Sequence, residues 1–189
     1  MGYPEILVLR HGETEWNSQG RLQGEQDSPL TEVGEQQAAR QQAILAQLGP
    51  ERYVWRSSPQ GRAWKTARIA LQGADVEIVQ DPRLREVEMG RWSGCRRDDL
   101  MRDNPGLFEQ DGLGWYDLAP DGEGLAALAE RCQAVLSDLS VPTGLITHGI
   151  TSRVLRCLAQ GLPWEALDQV GGGQGVVYRI RDGQSELLA

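Results

Sequence analysis

The chain contains two histidines, and each follows an apolar run and precedes a glycine: Leu9-Arg10-His11-Gly12 and Ile146-Thr147-His148-Gly149. A neutral imidazole offers one nitrogen as nucleophile or base and the other as donor. A lone histidine is most often a structural or surface residue. Two in the same strand-end context shift that balance towards chemistry. Arg10 adjoins His11, and Arg62 falls near the start of the helix expected after the second strand. Guanidinium forks match phosphate oxygens with paired hydrogen bonds. A single arginine reads as a solvated charge. Two arginines, two imidazoles and the N-terminus of a helix after His148 would form a compact anion pocket, suited to phosphoryl transfer.

A metal is not expected. Two histidines and a glutamate could hold zinc in principle, but the flanking arginines would repel a cation, and no cluster has metal-ligand spacing. Cys95, Cys132 and Cys157 are odd in number and far apart, which suggests neither a disulfide framework nor a zinc knuckle. No other cofactor is implied.

The bulk numbers bound the answer. The 189 residues suit one domain, 1–189, and 40% apolar with 24% charged residues is a globular composition. The net charge of −8 argues against nonspecific binding to nucleic acid or an anionic membrane. The opening MGYPEILVLR lacks a signal-peptide profile and no apolar run reaches spanning length, so the reading is cytoplasmic. The expected partner is a small phosphomonoester, with a homodimer as the one protein assembly considered.

The elements that must position these residues follow from pattern. Ile6–Leu9 is a continuous apolar run, as in a strand buried on both faces. Residues 11–30 read as loop. Thr31 caps a helix to about Leu48, ended by Gly49-Pro50. Tyr53–Trp55 is a second strand, and Ser58-Pro59 opens a helix carrying Arg62 and Thr66. Val76–Val79 is a third strand. Residues 81–120 are irregular, with a short helix near 96–102. Leu125, Leu128, Ala129, Cys132, Val135, Leu136 and Leu139 mark an amphipathic helix. Leu145–Thr147 is a fourth strand, followed by a helix over about 150–159. Val176–Ile180 and Glu186–Leu188 are expected as edge strands. Alternating strands and helices imply an α/β three-layer sandwich, a mainly parallel sheet flanked by helices, with its site beyond the carboxyl ends of the strands.

LRHGETEWN at 9–17 and GRLQGEQDSPLTEVGEQQA at 20–38 resemble the opening signature of the histidine phosphatase superfamily, the phosphoglycerate mutase-like or RHG group. The resemblance continues through SSPQGRAWKTA at 57–67, LREVEMGRWSG at 84–94 and LITHGI at 145–150, in the family's order. It implies a phosphoglycerate mutase-like fold and a metal-independent phosphatase. His11 would be the nucleophile forming a phosphohistidine. Arg10, Arg62 and His148 would hold the phosphate, with Asn17, Gln23, Gly24 and the backbone N–H of Gly149 lining the same pocket. Glu86 matches the proton donor to the leaving group. Glu88 is a second candidate, since alternate residues of an extended segment face the same side. Where many members carry Gly-Gly-Glu-Ser, this chain has Pro120-Asp121-Gly122-Glu123-Gly124.

Residues 92–121 are expected to form a lid-like segment. Trp92, Trp115 and Tyr116 would either stack on a leaving group or pack the lid onto the domain. Between 95 and 121 the cations are Arg96, Arg97 and Arg102, against Asp98, Asp99, Asp103, Glu109, Asp111, Asp117 and Asp121. So acidic a lid suits a bisphosphorylated intermediate poorly, which favours hydrolysis over the alternative of phosphoglycerate mutase-type transfer. A further alternative, a non-catalytic phosphate- or phosphopeptide-binding module, would be marked by loss of His11, which is present.

Overall fold

The run Ile6–Leu9 folds as expected. In the computed structural model, which describes residues 2–107 and 112–189, strand β1 spans Ile6–Arg10, and its first four residues are fully buried. The alternation of side chains divides them between two cores. Ile6 and Val8 pack with Leu128, Cys132, Val135, Val154 and Leu155 on one face of the sheet. Leu7 and Leu9 pack with Leu45, Ala63, Ala67 and Ala70 on the other. Each buried Leu or Ile contributes about 1.5–3 kcal/mol over an exposed one. Helices must therefore cover both faces, which gives the three layers.

The helices are α1 (Glu15–Ser18), α2 (Glu32–Leu48), α3 (Gly61–Ala70), α4 (Arg97–Asp103), α5 (Leu125–Ser137) and α6 (Gly149–Ala159). The remaining strands are β2 (Val54–Ser57), β3 (Ile78–Gln80), β4 (Thr143–Thr147), β5 (Val177–Arg181) and β6 (Gln184–Leu188). The sheet runs β3-β2-β4-β1-β5-β6. Its first four strands are parallel, and β5 lies antiparallel to both β1 and β6. In the register of β1 on β4, Arg10 faces Thr147. The residues that follow, His11 and His148, therefore leave neighbouring strands side by side. Among the described residues no helix is long and apolar enough to cross a membrane.

Four local expectations are corrected. Residues 11–30 are not all loop: α1 forms because Thr14 accepts from the backbone N–H of Asn17 while Asn17 accepts from that of Thr14. Helix α3 starts at Gly61, not at Pro59. Ser58 still extends the β2–β4 ladder through its N–H to Ile146 O, 2.9 Å, and the carboxylate of Asp27 accepts from Arg62 N, 3.2 Å, in place of a local cap. The third strand begins two residues later than its apolar pattern suggests. β5 is internal, and the edges are β3 and β6.

Candidate active site

His11 is buried where β1 ends, and its N–H continues the ladder to Thr147 O at 2.9 Å. Its Nδ1 lies 2.7 Å from the carbonyl oxygen of Gly12. A carbonyl only accepts, which assigns the ring proton to Nδ1 and leaves a lone pair on Nε2. Burial, reinforced by the charges of Arg62 and Arg10, holds this imidazole well below its ordinary pKa and keeps it neutral. His148, wholly buried, contacts the Ser58 hydroxyl through Nε2 at 2.8 Å, while its Nδ1 has no partner. Burial and Arg62 depress its pKa as well. The two ring centroids are 5.1 Å apart.

The arginines surround this pair. Arg62, almost wholly buried, donates to Gln26 O (2.6 Å), Asp27 Oδ1 (2.9 Å) and Gly24 O (3.0 Å), so its fork is fixed. Its Nε and that of Arg10 are buried without a partner. Burial lowers the Arg10 pKa, an effect that Glu86 opposes. Gly149 leaves this wall uncrowded: a Cβ would lie 3.3 Å from the guanidinium carbon of Arg10, so Arg10 would have to give by a few tenths of an ångström.

Glu86 faces the same pocket. Its carboxyl accepts from Ile150 N and Thr151 N (both 3.1 Å), Thr151 Oγ1 (3.0 Å) and Val87 N (3.0 Å). Glu86 therefore serves the free amides at the start of α6 as an N-terminal cap. Arg131 on α5 ties down its backbone, donating to the carbonyls of Arg83, Arg85 and Glu86 while paired with Glu123. That pairing is the use found for Glu123 in the departed segment 120–124. Glu88 does not share the pocket: it lies half-exposed, 3.6 Å from Arg85. Val87 and Met89 are buried between and beside the two glutamates, and what separates Glu86 from Glu88 is the partner each finds, the start of α6 for one and Arg85 for the other.

A cleft of about 190 Å³ is lined by Arg10, His11, Asn17, Gln23, Gly24, Arg62, Glu86 and Gly149, with His148 packed behind them. Arg21, Leu22, Met89, Leu113, Tyr116, Ile150 and Arg153 complete its wall. Asn17 Oδ1 accepts from Thr14 N (3.2 Å) and Gln174 Nε2 (3.3 Å), which turns its amide nitrogen towards other acceptors. Gln174 also donates to His11 O at 3.2 Å. Gln174, Arg153 and Arg131 had no motif to announce them, and Arg21 lies within the 20–38 signature without a role assigned to it. Of the aromatic residues, Trp92 and Trp115 are buried in the core, and Trp115 stacks on Tyr116 at 3.9 Å. Among the described aromatic residues only Tyr116 lines the cleft, and burial pushes its hydroxyl up to about 12.

The acids of the 92–121 segment face elsewhere. Asp99 and Asp103 pair with Arg102, Asp121 pairs with Arg91, and Asp117 accepts from Leu125 N at the start of α5. None of the described ones lines the cleft; Glu109 and Asp111 lie outside the described residues. Among the described residues the charge argument against mutase chemistry therefore has no acid of this segment on the cleft wall to rest on, because a count of charges does not say where they point. Among the described residues, no three His, Cys, Asp or Glu side chains are grouped to hold a metal ion.

The tautomers are testable directly, since the chain has only two histidines. In long-range ¹⁵N–¹H spectra, His11 should appear as the Nδ1–H form, and both rings should stay neutral well below the usual imidazole pKa of about 6.5. Depressed values mean that acid, not base, brings the charge. A ring that titrates at or above the usual value would remove the neutral nucleophile from the reading.

Known proteins resemble this chain in sequence and in fold. The chain is 39% identical over 165 residues to a protein of Enterobacter sp. (strain 638) named "Probable phosphoglycerate mutase GpmB", covering 84% of this chain and 76% of that one. It is 36% identical over 191 residues to the protein of the same name from Cronobacter sakazakii, covering 98% and 88%. Among solved structures, a mycobacterial glucosyl-3-phosphoglycerate phosphatase matches with a TM-score of 0.82 and 26% identity, over 97% of this chain and 96% of that one. Bacillus stearothermophilus YhfR matches with a TM-score of 0.81 and 30% identity, over 97% and 95%. Residues 6–187, nearly the whole chain, match the profile of the histidine phosphatase superfamily, branch 1, and the chain belongs to that family.

Proposed function

We propose that the protein hydrolyses small phosphomonoesters through a phosphohistidine on His11, without a metal. The observation that carries this reading is the pairing of a neutral, proton-free Nε2 on His11 with buried groups left unpartnered around it: the donors Arg10 Nε and Arg62 Nε, and His148 Nδ1, a donor in the tautomer in which the Ser58 hydroxyl donates to Nε2. Each unsatisfied buried donor costs about 1–3 kcal/mol. A phosphoryl group supplies acceptor oxygens to all three at once.

His11 Nε2 attacks phosphorus, the P–O ester bond breaks, and the leaving oxygen takes a proton from Glu86. Water then gives a proton to Glu86 and attacks phosphorus, and the P–N bond breaks to release inorganic phosphate and neutral His11. Positioning and charge stabilisation supply most of the barrier reduction in such transfers. Arg10, Arg62 and His148 stabilise the equatorial oxygens. Asn17, fixed by Thr14 and Gln174, offers its amide nitrogen to the same group. Gln23, Gly24 and Gly149 form the wall.

The relatives named phosphoglycerate mutase favour a second reading, transfer between phosphoglycerates. One assay separates the two. A phosphomonoester panel should release inorganic phosphate in step with ester consumed. Release should persist after exhaustive chelation and should stop with vanadate. Recovery of a chelated, inactive enzyme by zinc or manganese would point to metal-dependent hydrolysis. Interconversion of 2- and 3-phosphoglycerate, dependent on 2,3-bisphosphoglycerate and without phosphate release, would select the mutase. Tight phosphate binding without turnover would select the non-catalytic module.

A further inference from the structure

The chain returns from α6 to β5 through Gly171-Gly172-Gly173-Gln174-Gly175, a strap on which Gln174 carries the one side chain. Glycine gives up more conformational freedom on folding than any other residue, so such a strap is ordered only by what holds it. Both of its ends are held. At the first, Arg153 donates to the carbonyls of Leu167 (2.9 Å) and Val170. Buried Arg156 donates to the carbonyl of Gly171, with its guanidinium over the Tyr178 ring at 3.7 Å from the centroid. At the second, Gln41 on α2 donates to Val176 O (3.0 Å) and to Arg10 O (2.9 Å), which ties the strap to the end of β1. Gly175 sits at φ +73°, with room for a Cβ only 3.2 Å from that of Gln37.

Gln174 is thereby set beside the nucleophile's own backbone. Its Nε2 donates to His11 O (3.2 Å) and to Asn17 Oδ1 (3.3 Å). Both are acceptors, so the amide of Gln174 has one useful orientation. Asn17 Oδ1 then accepts twice, from Thr14 N (3.2 Å) and from Gln174, and Nδ2 is the amide atom left for the cleft that Asn17 lines. A half-turn of the Asn17 amide would set N–H against N–H on one side and an oxygen against an anion on the other. Thr14 opposes that turn with one donor, and Gln174 adds the second. We infer that Gln174 is a positioning residue: the strap delivers it to lock Asn17 in the amide orientation that donates to a phosphoryl oxygen. Gln174 is not among the residues lining the cleft, so it acts through Asn17. This role rests on the phosphate site proposed above.

Two asparagines, Asn17 and Asn104, make the test direct. Labelling asparagine with ¹⁵N gives two side-chain amide signals, and Asn17→Ala assigns them. Inorganic phosphate is the probe. In the wild type it should shift the Asn17 signal and leave that of Asn104, which does not line the cleft. Gln174→Met keeps the length of the side chain and removes its N–H groups. It should move the Asn17 signal before phosphate is added and weaken phosphate binding by about 3–10-fold, the size of a neutral hydrogen bond. Asn17→Ala should weaken binding by about 10-fold or more, the size of a bond to a charged group. In that background Gln174→Met should lose most of its effect, because the two residues act as one unit. Equal losses in both backgrounds, as a merely structural strap would give, overturn the inference. So does wild-type affinity in Gln174→Met, or an Asn17 signal that phosphate does not move. If Asn17→Ala does not fold, the Asn17 signal and the phosphate affinity of Gln174→Met decide the matter. Ester hydrolysis by the wild type is scored separately: its absence overturns the hydrolase reading and leaves the phosphate-binding cycle to judge Gln174.

Discussion

Replacing His11 by alanine is expected to lower kcat by ~10⁴-fold or more, the scale of loss when a covalent nucleophile is removed. No neighbouring group can take its place. The Thr66 hydroxyl is committed to Arg62 O and Gly12 N, and Ser58 to His148. His148 offers its Nδ1, but with the Ser58 hydroxyl donating to Nε2 the ring carries its proton on Nδ1 and has no lone pair there. The fold should survive. The change removes one hydrogen bond to Gly12 O and leaves a small cavity, within the ordinary 0.5–3 kcal/mol range for point substitutions. A thermal melt checks that the variant is native before activity is scored. Labelled substrate with an alkaline quench should trap label on the wild type and none on the variant, since phosphohistidine does not survive acid. Near-normal turnover by a folded His11→Ala protein would end the covalent mechanism.

The sequence made legible those features whose cause is local. Ile6–Leu9 and Leu145–Thr147 are continuous apolar runs because both faces of the sheet are covered, and α5 keeps its 3.6-residue stripe because one face meets the core. His11 and His148 stood out because their strand ends repeat one local pattern. What escaped depends on partners far along the chain. Gln174 reaches Asn17 across 157 residues, and Asp27 caps a helix through Arg62, 35 residues away. Arg131 belongs to a helix whose buried face gave its only signal, yet its guanidinium anchors the segment that presents Glu86. The acids of the 92–121 segment were countable, but their direction was not, and the cations that line the cleft come from outside that segment. Glu86 and Glu88 were indistinguishable by spacing and are separated by partners distant in sequence or exposed: the start of α6 for Glu86, Arg85 for Glu88.

That separation gives the second large expected effect. Glu86→Gln cannot give up a proton, so kcat should fall by roughly 10²–10⁴-fold for alkyl phosphates, whose alkoxide leaving groups are strongly basic. The loss should shrink for p-nitrophenyl phosphate, whose leaving group departs unaided, because general-acid help scales with the charge left on oxygen in the transition state. Glutamine can still accept through one oxygen, but its NH₂ would meet the N–H of either Ile150 or Thr151, so the start of α6 loses a cap. A melting curve separates that structural cost from the chemical one: lost stability lowers activity on both esters alike, whereas lost protonation divides them. Glu88→Gln is the control. Its carboxylate is half-exposed and paired only with Arg85 at 3.6 Å, a contact of about 0–1 kcal/mol, so neither ester should respond. Leaving-group dependence in Glu88→Gln and not in Glu86→Gln would mean that the segment rearranges when substrate binds. Absence of the dependence in both variants would place the proton source outside this segment, with a water held by Tyr116 the next group to test.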